Sequence, residues 1–315
     1  MIHIRNFAVL ALGASLLSFP ALAQDAESCS TVRLSDVGWT DITSTTAVAS
    51  NILSGLGYEP DVKILSVPVT FASLSNSDID VFLGNWMPAQ SEPIKKYLDD
   101  GSIVQVKANL EGAKYTLAVP KYLYDKGLKD FADIHKFKDE LGGKIYGIEP
   151  GNDGNSLVLG MIEKNEFDLK GFELVASSEQ GMLSQVARAT KAEKPIVFLG
   201  WAPHPMNSNY DIEYLTGGDD TFGPDYGGAT VYTVERKDFA TDCPNLSKLF
   251  ENLTFDLPME NEIMGKILDD KQKPNEAAAE WIKANPDRLD AWLEGVMTLD
   301  GQDGLPAVKA SLGLS

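Results

Sequence analysis

Histidine, cysteine and arginine are scarce in this chain. Three histidines and two cysteines stand among 315 residues. No Cys-x-x-Cys, His-x-x-x-His or Gly-x-Ser-x-Gly spacing occurs, so the usual zinc, redox and acyl-hydrolase signatures are missing. His135 lies in the charged run Asp133-Ile134-His135-Lys136 and reads as solvated. His204 lies between Pro203 and Pro205 and reads as a loop-shaping residue rather than a metal ligand. No metal and no cofactor is expected. Beyond residue 23 the arginines are Arg33, Arg188, Arg236 and Arg288. That is thin for a protein built to grip carboxylates or phosphates with two hydrogen bonds at once. No apolar run after the first two dozen residues is long enough to cross a bilayer. Short-period repeats and low-complexity tracts are also missing.

What is abundant is negative charge. The formal net charge is −19, which repels nucleic acid and anionic lipid and at most attracts cationic ligands mildly. The first residues read as an export signal, residues 1–23: Arg5 supplies the positive start, residues 7–17 the apolar stretch, and Ala21-Leu22-Ala23 a small-residue cleavage box. The product is expected to be soluble, exported and periplasmic. Cys29 follows Ala26-Glu27-Ser28, which lacks the leucine of a lipid-attachment box. In an oxidising compartment Cys29 and Cys243 are expected to form a disulfide, with two free thiols as the alternative.

Strand-like and helix-like segments alternate. Residues 32–37, 62–67, 80–84 and 103–106 read as strands. Residues 41–56, 69–74 and 88–98 read as helices, with Pro88 near the first turn of the last. Residues 115–119 form a further strand that leaves the first unit. A second run follows, with strands at 144–149, 172–175 and 195–200 and helices at 131–141, 156–164 and 179–190. Extended segments at 213–215 and 230–235 precede helices at 244–253, 259–269, 275–284 and 287–293. Trp281 and Trp292 sit at helical spacing and read as packing residues. The length suits two α/β lobes.

Three tryptophans share one context. Ile196-Val197-Phe198-Leu199-Gly200-Trp201 is an apolar run ending in glycine and then an indole. Asp80-Val81-Phe82-Leu83-Gly84-Asn85-Trp86 repeats it, and Gly38-Trp39 follows the strand at 32–37. Ligands of open α/β sheets sit beyond the carboxyl ends of strands, where Trp39, Trp86, Asn152 and Trp201 all fall. Tyr115 lies at the crossover. Core packing is the alternative for each ring, but the shared context points to a common box. Such a box suits a quaternary ammonium, which has no N–H to donate and is held by aromatic faces at about 0.5–2 kcal/mol per ring. Asp41 reads either as a first-turn acid complementing the helix dipole or as a carboxylate facing the cleft. The glycine-rich loop at 147–156 reads as a plain turn, an anion cradle, or a platform from which Asn152 meets a ligand hydroxyl.

Four segments, Gly38-Trp39-Thr40-Asp41, Asp80 to Pro88, Gly147-Ile148-Glu149-Pro150-Gly151-Asn152-Asp153 and Gly200-Trp201-Ala202-Pro203-His204-Pro205, make the mature chain similar to the glycine betaine/choline-type substrate-binding proteins of ABC importers. The resemblance implies a two-lobed type II periplasmic-binding-protein fold, mainly parallel sheets joined by crossover strands. Lobe one would comprise residues 24–111 and 229–315, and lobe two residues 112–228. It implies an aromatic box of Trp39, Trp86, Tyr115 and Trp201, with Asp41 and Asn152 on the hydroxyl of choline. Betaine-binding relatives often carry tryptophan where Pro205 stands, and Asp41 would face betaine's carboxylate; both features count against a pure betaine reading. The expected ligand is choline, with acetylcholine beside it and betaine weaker. The expected partners are an ABC permease and its ATPase, and the chain is expected to be a monomer. Binding of glycine betaine or carnitine, hydrolysis of choline esters, and a sensory role without transport remain the competing readings.

Overall fold

The computed structural model describes residues 25–314. The export signal expected at residues 1–23 lies outside them. No helix among the described residues is long and apolar enough to cross a membrane.

Nine strands build one mixed sheet. They are β1 Thr31–Asp36, β2 Glu59–Ile64, β3 Val81–Met87, β4 Ile103–Pro120, β5 Lys144–Tyr146, β6 Glu173–Val175, β7 Phe198–Ala202, β8 Ile212–Tyr214 and β9 Gly228–Arg236. Their order is β2-β1-β3-β9-β4-β7-β5-β6, with β8 beside β4. The flanks are parallel: β1 runs with β2 and β3, and β5 with β6 and β7. The centre is antiparallel, where β9 lies between β3 and β4, and β4 pairs with β7. The sheet therefore has two wings joined by the long strands β4 and β9.

The expected strands at 103–106 and 115–119 are one strand, β4. Asn109 and Gly112 interrupt the apolar pattern between them without breaking the strand. The Asn109 side chain is buried and donates to the Leu83 carbonyl at 2.9 Å and the Thr233 hydroxyl at 3.0 Å. Gly112 adopts a φ of 75°, beside an irregularity in the β4–β9 register, as bulges in antiparallel pairs require. The expected strand at 62–67 is displaced to Glu59–Ile64. It is an edge strand with exposed side chains, so burial imposes no alternation and Pro60 is tolerated. The helix expected at 88–98 begins at Ser91, because β3 continues through Trp86 to Met87 and leaves Pro88 in the connection. The helix expected at 131–141 is a tighter 3-10 turn over Phe131–Phe137. His135, expected to be solvated, is half-buried, and its Nδ1 has no hydrogen-bond partner.

Helix Thr40–Gly55 packs under the first wing with helices Leu257–Leu268, Pro274–Ala284 and Gly304–Ser311. Its start follows Gly38 at φ 81°, and Gly57 at φ 88° turns the chain beyond its end, the left-handed position that glycine fills at helix C-termini. Gly84 lets this helix close on β3: a Cβ there would come within 2.7 Å of Ile42. Trp281 and Trp292 are buried with ring centroids 6.4 Å apart, as their spacing predicts. Cys29 and Cys243 form the expected disulfide, with Cα atoms 5.9 Å apart. Beside it Asp25 accepts from the amides of Asn245 at 2.8 Å and Leu246 at 3.1 Å and from the Tyr58 hydroxyl at 3.0 Å. The start of the described chain is thereby tied to helix Pro244–Asn252.

Glu235, on β9, is buried and has a single polar side-chain contact, Ser247 at 3.4 Å. Burial raises its pKa to about 8. An acid raised in the folded state costs nothing below its unfolded pKa and destabilises progressively as pH climbs to the folded value. Glu235→Gln is therefore expected to raise the urea midpoint more at pH 8 than at pH 5. An equal midpoint change at both pH values in denaturation curves would contradict this.

Candidate functional site

At the carboxyl ends of the strands, between the wings, lies a small hollow. It is lined by Trp39, Asp41, Trp86, Tyr115, Ile148, Asp153 and Trp201. All four aromatic residues named from the sequence line it. They come from three strands and one helix start: Trp86 from β3, Tyr115 from β4, Trp201 from β7, and Trp39 from the residue that caps helix Thr40–Gly55. Trp86 and Trp201 lie inside their strands rather than in the loops beyond. Each ring is buried, between 3 and 6% exposed.

Tyr115 is the hub. Its ring meets Trp86 at 6.1 Å, Trp201 at 6.3 Å and Phe222 at 6.0 Å, each edge to face, the arrangement that aromatic quadrupoles favour. Its hydroxyl donates to Asn152 Oδ1 at 2.8 Å. Gly154 makes room for it, since a Cβ there would lie 2.0 Å from that oxygen. Two indoles have their polar edges tied to acids. Trp86 donates to Asp41 Oδ2 at 3.1 Å, and Trp39 donates to Glu149 Oε1 at 2.7 Å.

Asp41 sits in the first helical turn and lines the hollow. Its Oδ1 has no hydrogen-bond partner. Asn152 caps helix Asp153–Lys164 by accepting from the Asn155 amide at 3.1 Å. That bond and the one from Tyr115 fix the orientation of its amide group. Its Nδ2 is buried beside the Glu149 carboxylate. Asn152 stands behind Tyr115, and its neighbour Asp153 reaches the wall of the hollow.

Acids are concentrated around these rings. Burial pushes Asp41 up to about 8, with Glu179 adding to the rise. Burial likewise raises Asp153 to about 7, with Glu149 adding to it. Glu149 and Glu260 are also raised by burial, Glu149 further by Glu179 and Glu260 further by Asp41. Among the described residues no lysine or arginine lines the hollow. Arg33 and Arg236 both hold Asp80, and Arg288 pairs with Asp256. Buried acids without a basic partner are costly, so the hollow favours a positive occupant.

Several contacts join the two wings across the hollow. Gln90 donates to Asp153 Oδ1 at 3.4 Å, Trp39 to Glu149, and the Thr40 amide to Glu179 Oε2 at 2.8 Å. Donors stand on the first wing and carboxylates on the second. The sequence reading missed Ile148, Glu149, Asp153 and Glu179. Three of them lie in or beside the glycine-rich loop already singled out around Asn152. Glu179 carries no local signal, being one acid among many at helix starts.

The chain matches over residues 30–284 the family described as the substrate-binding domain of ABC-type glycine betaine transport systems, and it belongs to that family. The fold is accordingly the type II periplasmic-binding-protein fold. The chain is 64% identical to an ABC-transporter choline-binding protein solved in complex with choline, with a TM-score of 0.91, covering 92% of this chain and 100% of that one. It is also 64% identical to an ABC-transporter choline-binding protein in an unliganded semi-closed conformation, with a TM-score of 0.85, covering 91% of this chain and 100% of that one. Among sequence relatives, the glycine betaine/carnitine transport binding protein GbuC of Listeria monocytogenes is 29% identical over 165 residues, 52% of this chain and 54% of that protein.

The tie between Trp86 and Asp41 makes the acid visible to fluorescence. As pH rises from 6 to 9 the tryptophan emission is expected to shift as Asp41 ionises beside the indole. Asp41→Asn is expected to remove the step near pH 8. A titration identical in both proteins would contradict the assignment.

Proposed function

We propose that this chain is a periplasmic choline-binding protein that delivers choline to an ABC permease driven by its ATPase. The observation that carries the reading is a hollow walled by four buried rings and two acids, with no basic residue. The trimethylammonium group would occupy the space between Trp39, Trp86, Tyr115 and Trp201. Each ring contributes about 0.5–2 kcal/mol to a cation at its face. The hydroxyl would donate to the unpartnered Asp41 Oδ1, and Asn152, expected on the same hydroxyl, instead holds Tyr115 from behind the wall. That orphaned oxygen of Asp41 would then be satisfied, as buried polar atoms demand. An affinity near micromolar corresponds to about −8 kcal/mol.

Residues 24–111 with 229–315 form one lobe in this reading, and residues 112–228 the other, hinged on β4 and β9. Closure of such lobes around ligand is a known switching mode. Acetylcholine shares the methylated cation and would bind in the same box. Betaine and carnitine carry a carboxylate, and the wall offers them Asp41 and Asp153 rather than a cation. They are therefore expected to be weaker. Turnover of choline esters would need an activated nucleophile, and the lining supplies rings and acids instead, which supports capture and release. The protein acts as a monomer in this account.

Calorimetry with choline, acetylcholine, betaine and carnitine tests the ranking. Choline is expected to bind most tightly, and Trp201→Ala to weaken it by more than about ten-fold, in line with losing one ring contact and its packing. A loss of under about two-fold, or tighter binding of betaine, would overturn the reading. Asp41 supplies a second test. Held up near 8 in the empty hollow, it is largely protonated at pH 7, and a cation beside it favours the charged form. Choline binding is thus expected to release protons and to strengthen as pH rises from 6 to 8. Asp41→Asn is expected to abolish the release and to weaken choline more than tetramethylammonium, which has no hydroxyl. Equal losses for the two ligands would exclude the hydroxyl contact.

A further inference from the structure

One buried acid beside the hollow does not line it. Glu179 is the first residue of helix Glu179–Lys191 in the second wing and is 1% exposed. Its carboxylate accepts from the Thr40 amide at 2.8 Å and from the Thr40 hydroxyl at 2.5 Å, both on the first wing. Thr40 begins the helix that carries Asp41, and that helix receives no cap from its own N-cap side chain, which is Trp39. Helix N-termini leave their first amides without partners. Here one of them is satisfied from across the cleft.

The third contact of Glu179 leads back to the rings. His204 Nδ1 accepts from the Met206 amide at 2.9 Å, so the ring proton resides on Nε2. Nε2 then donates to Glu179 Oε1 at 3.2 Å. The His204 ring rests edge-on against Trp201, with centroids 4.9 Å apart. Glu179 therefore links Trp201 on one wing to the helix start that positions Asp41 on the other. Opening the wings would break both bonds to Thr40 and leave only the bond to His204.

We propose that Glu179 is a positioning residue for ligand capture: it caps the Asp41 helix only when the wings are shut, and so couples the seating of Trp201 to closure without touching the ligand. The proposal rests on the two-lobed choline-binding reading and adds a residue outside the box to it. Charge-assisted hydrogen bonds to buried donors are among the stronger polar contacts, and their loss is expected to act on release, since affinity differences within one interface fall mainly on the dissociation rate.

The test combines choline kinetics with a ligand-independent measure of closure. Spin labels at Glu92→Cys on the first wing and Lys164→Cys on the second, both exposed, report the distance between wings. Glu179→Ala is expected to speed choline dissociation by about ten-fold, leaving association within about two-fold. It is also expected to shift the label distances toward the open population, with and without choline, in a protein that is still folded at the assay temperature. Glu179→Gln is expected to recover part of the slow release, because its amide oxygen still accepts from the Thr40 amide. Thr40→Val removes the hydroxyl donor from the opposite wing and is expected to move both readouts in the same direction by less. Unaltered label distances in Glu179→Ala and Thr40→Val would overturn the proposal. So would a fall in ligand-free stability that accounts for the whole loss of affinity. If the parent protein fails to bind choline, the choline reading falls, and the label distances still decide the role of Glu179.

Discussion

An indole has one polar edge and two apolar faces, and this site depends on how the edges are occupied. Trp86 gives its N–H to Asp41, and Trp39 gives its N–H to Glu149. Tyr115 spends its hydroxyl on Asn152. With their polar groups engaged behind the wall, these rings are fixed in orientation and leave apolar surface around the hollow. The same bonds bring acids close to the rings, where each adds negative potential to that of the quadrupoles once it ionises. Two demands on a quaternary ammonium site, rigid faces and a negative surround, are met by one set of hydrogen bonds.

That arrangement has a cost in the empty state. Asp41, Glu149, Asp153 and Glu260 all have their charged forms disfavoured by burial. In the proposed function, closing the wings gathers them further, since the carboxylates of the second wing meet donors of the first. A cation would offset the repulsion and a proton would do so in part, which would link ligand, proton and closure through the same few carboxyl groups.

Much of the site was legible in the sequence because its chemistry lies in local motifs. An apolar run, a glycine and an indole announce a strand that ends near a ligand, and Trp39, Trp86 and Trp201 do share one hollow. Asp41 was legible for the same reason, two residues beyond Trp39. The rest was not, because it rests on pairings between distant segments. Nothing local distinguishes Glu179 until Thr40 is placed against it across 139 residues. The continuity of β4 was hidden by Asn109, whose polar side chain resembles a loop residue and instead bonds to Leu83 on β3 and Thr233 on β9. Edge strand β2 was misplaced because its exposed side chains obey no burial pattern.

The sheet order also bears on how the molecule is made. A chain emerging from its N-terminal end completes β1, β2 and β3 early, yet β3 pairs with β9, whose last residue is Arg236. Cys29 waits for Cys243, and Asp25 for the amides of Asn245 and Leu246. The second wing, by contrast, holds β5, β6 and β7 within one continuous stretch of sequence. The half that begins the chain must therefore be the last to assemble, with an exposed sheet edge throughout the delay, which makes it the part most in need of protection from premature association.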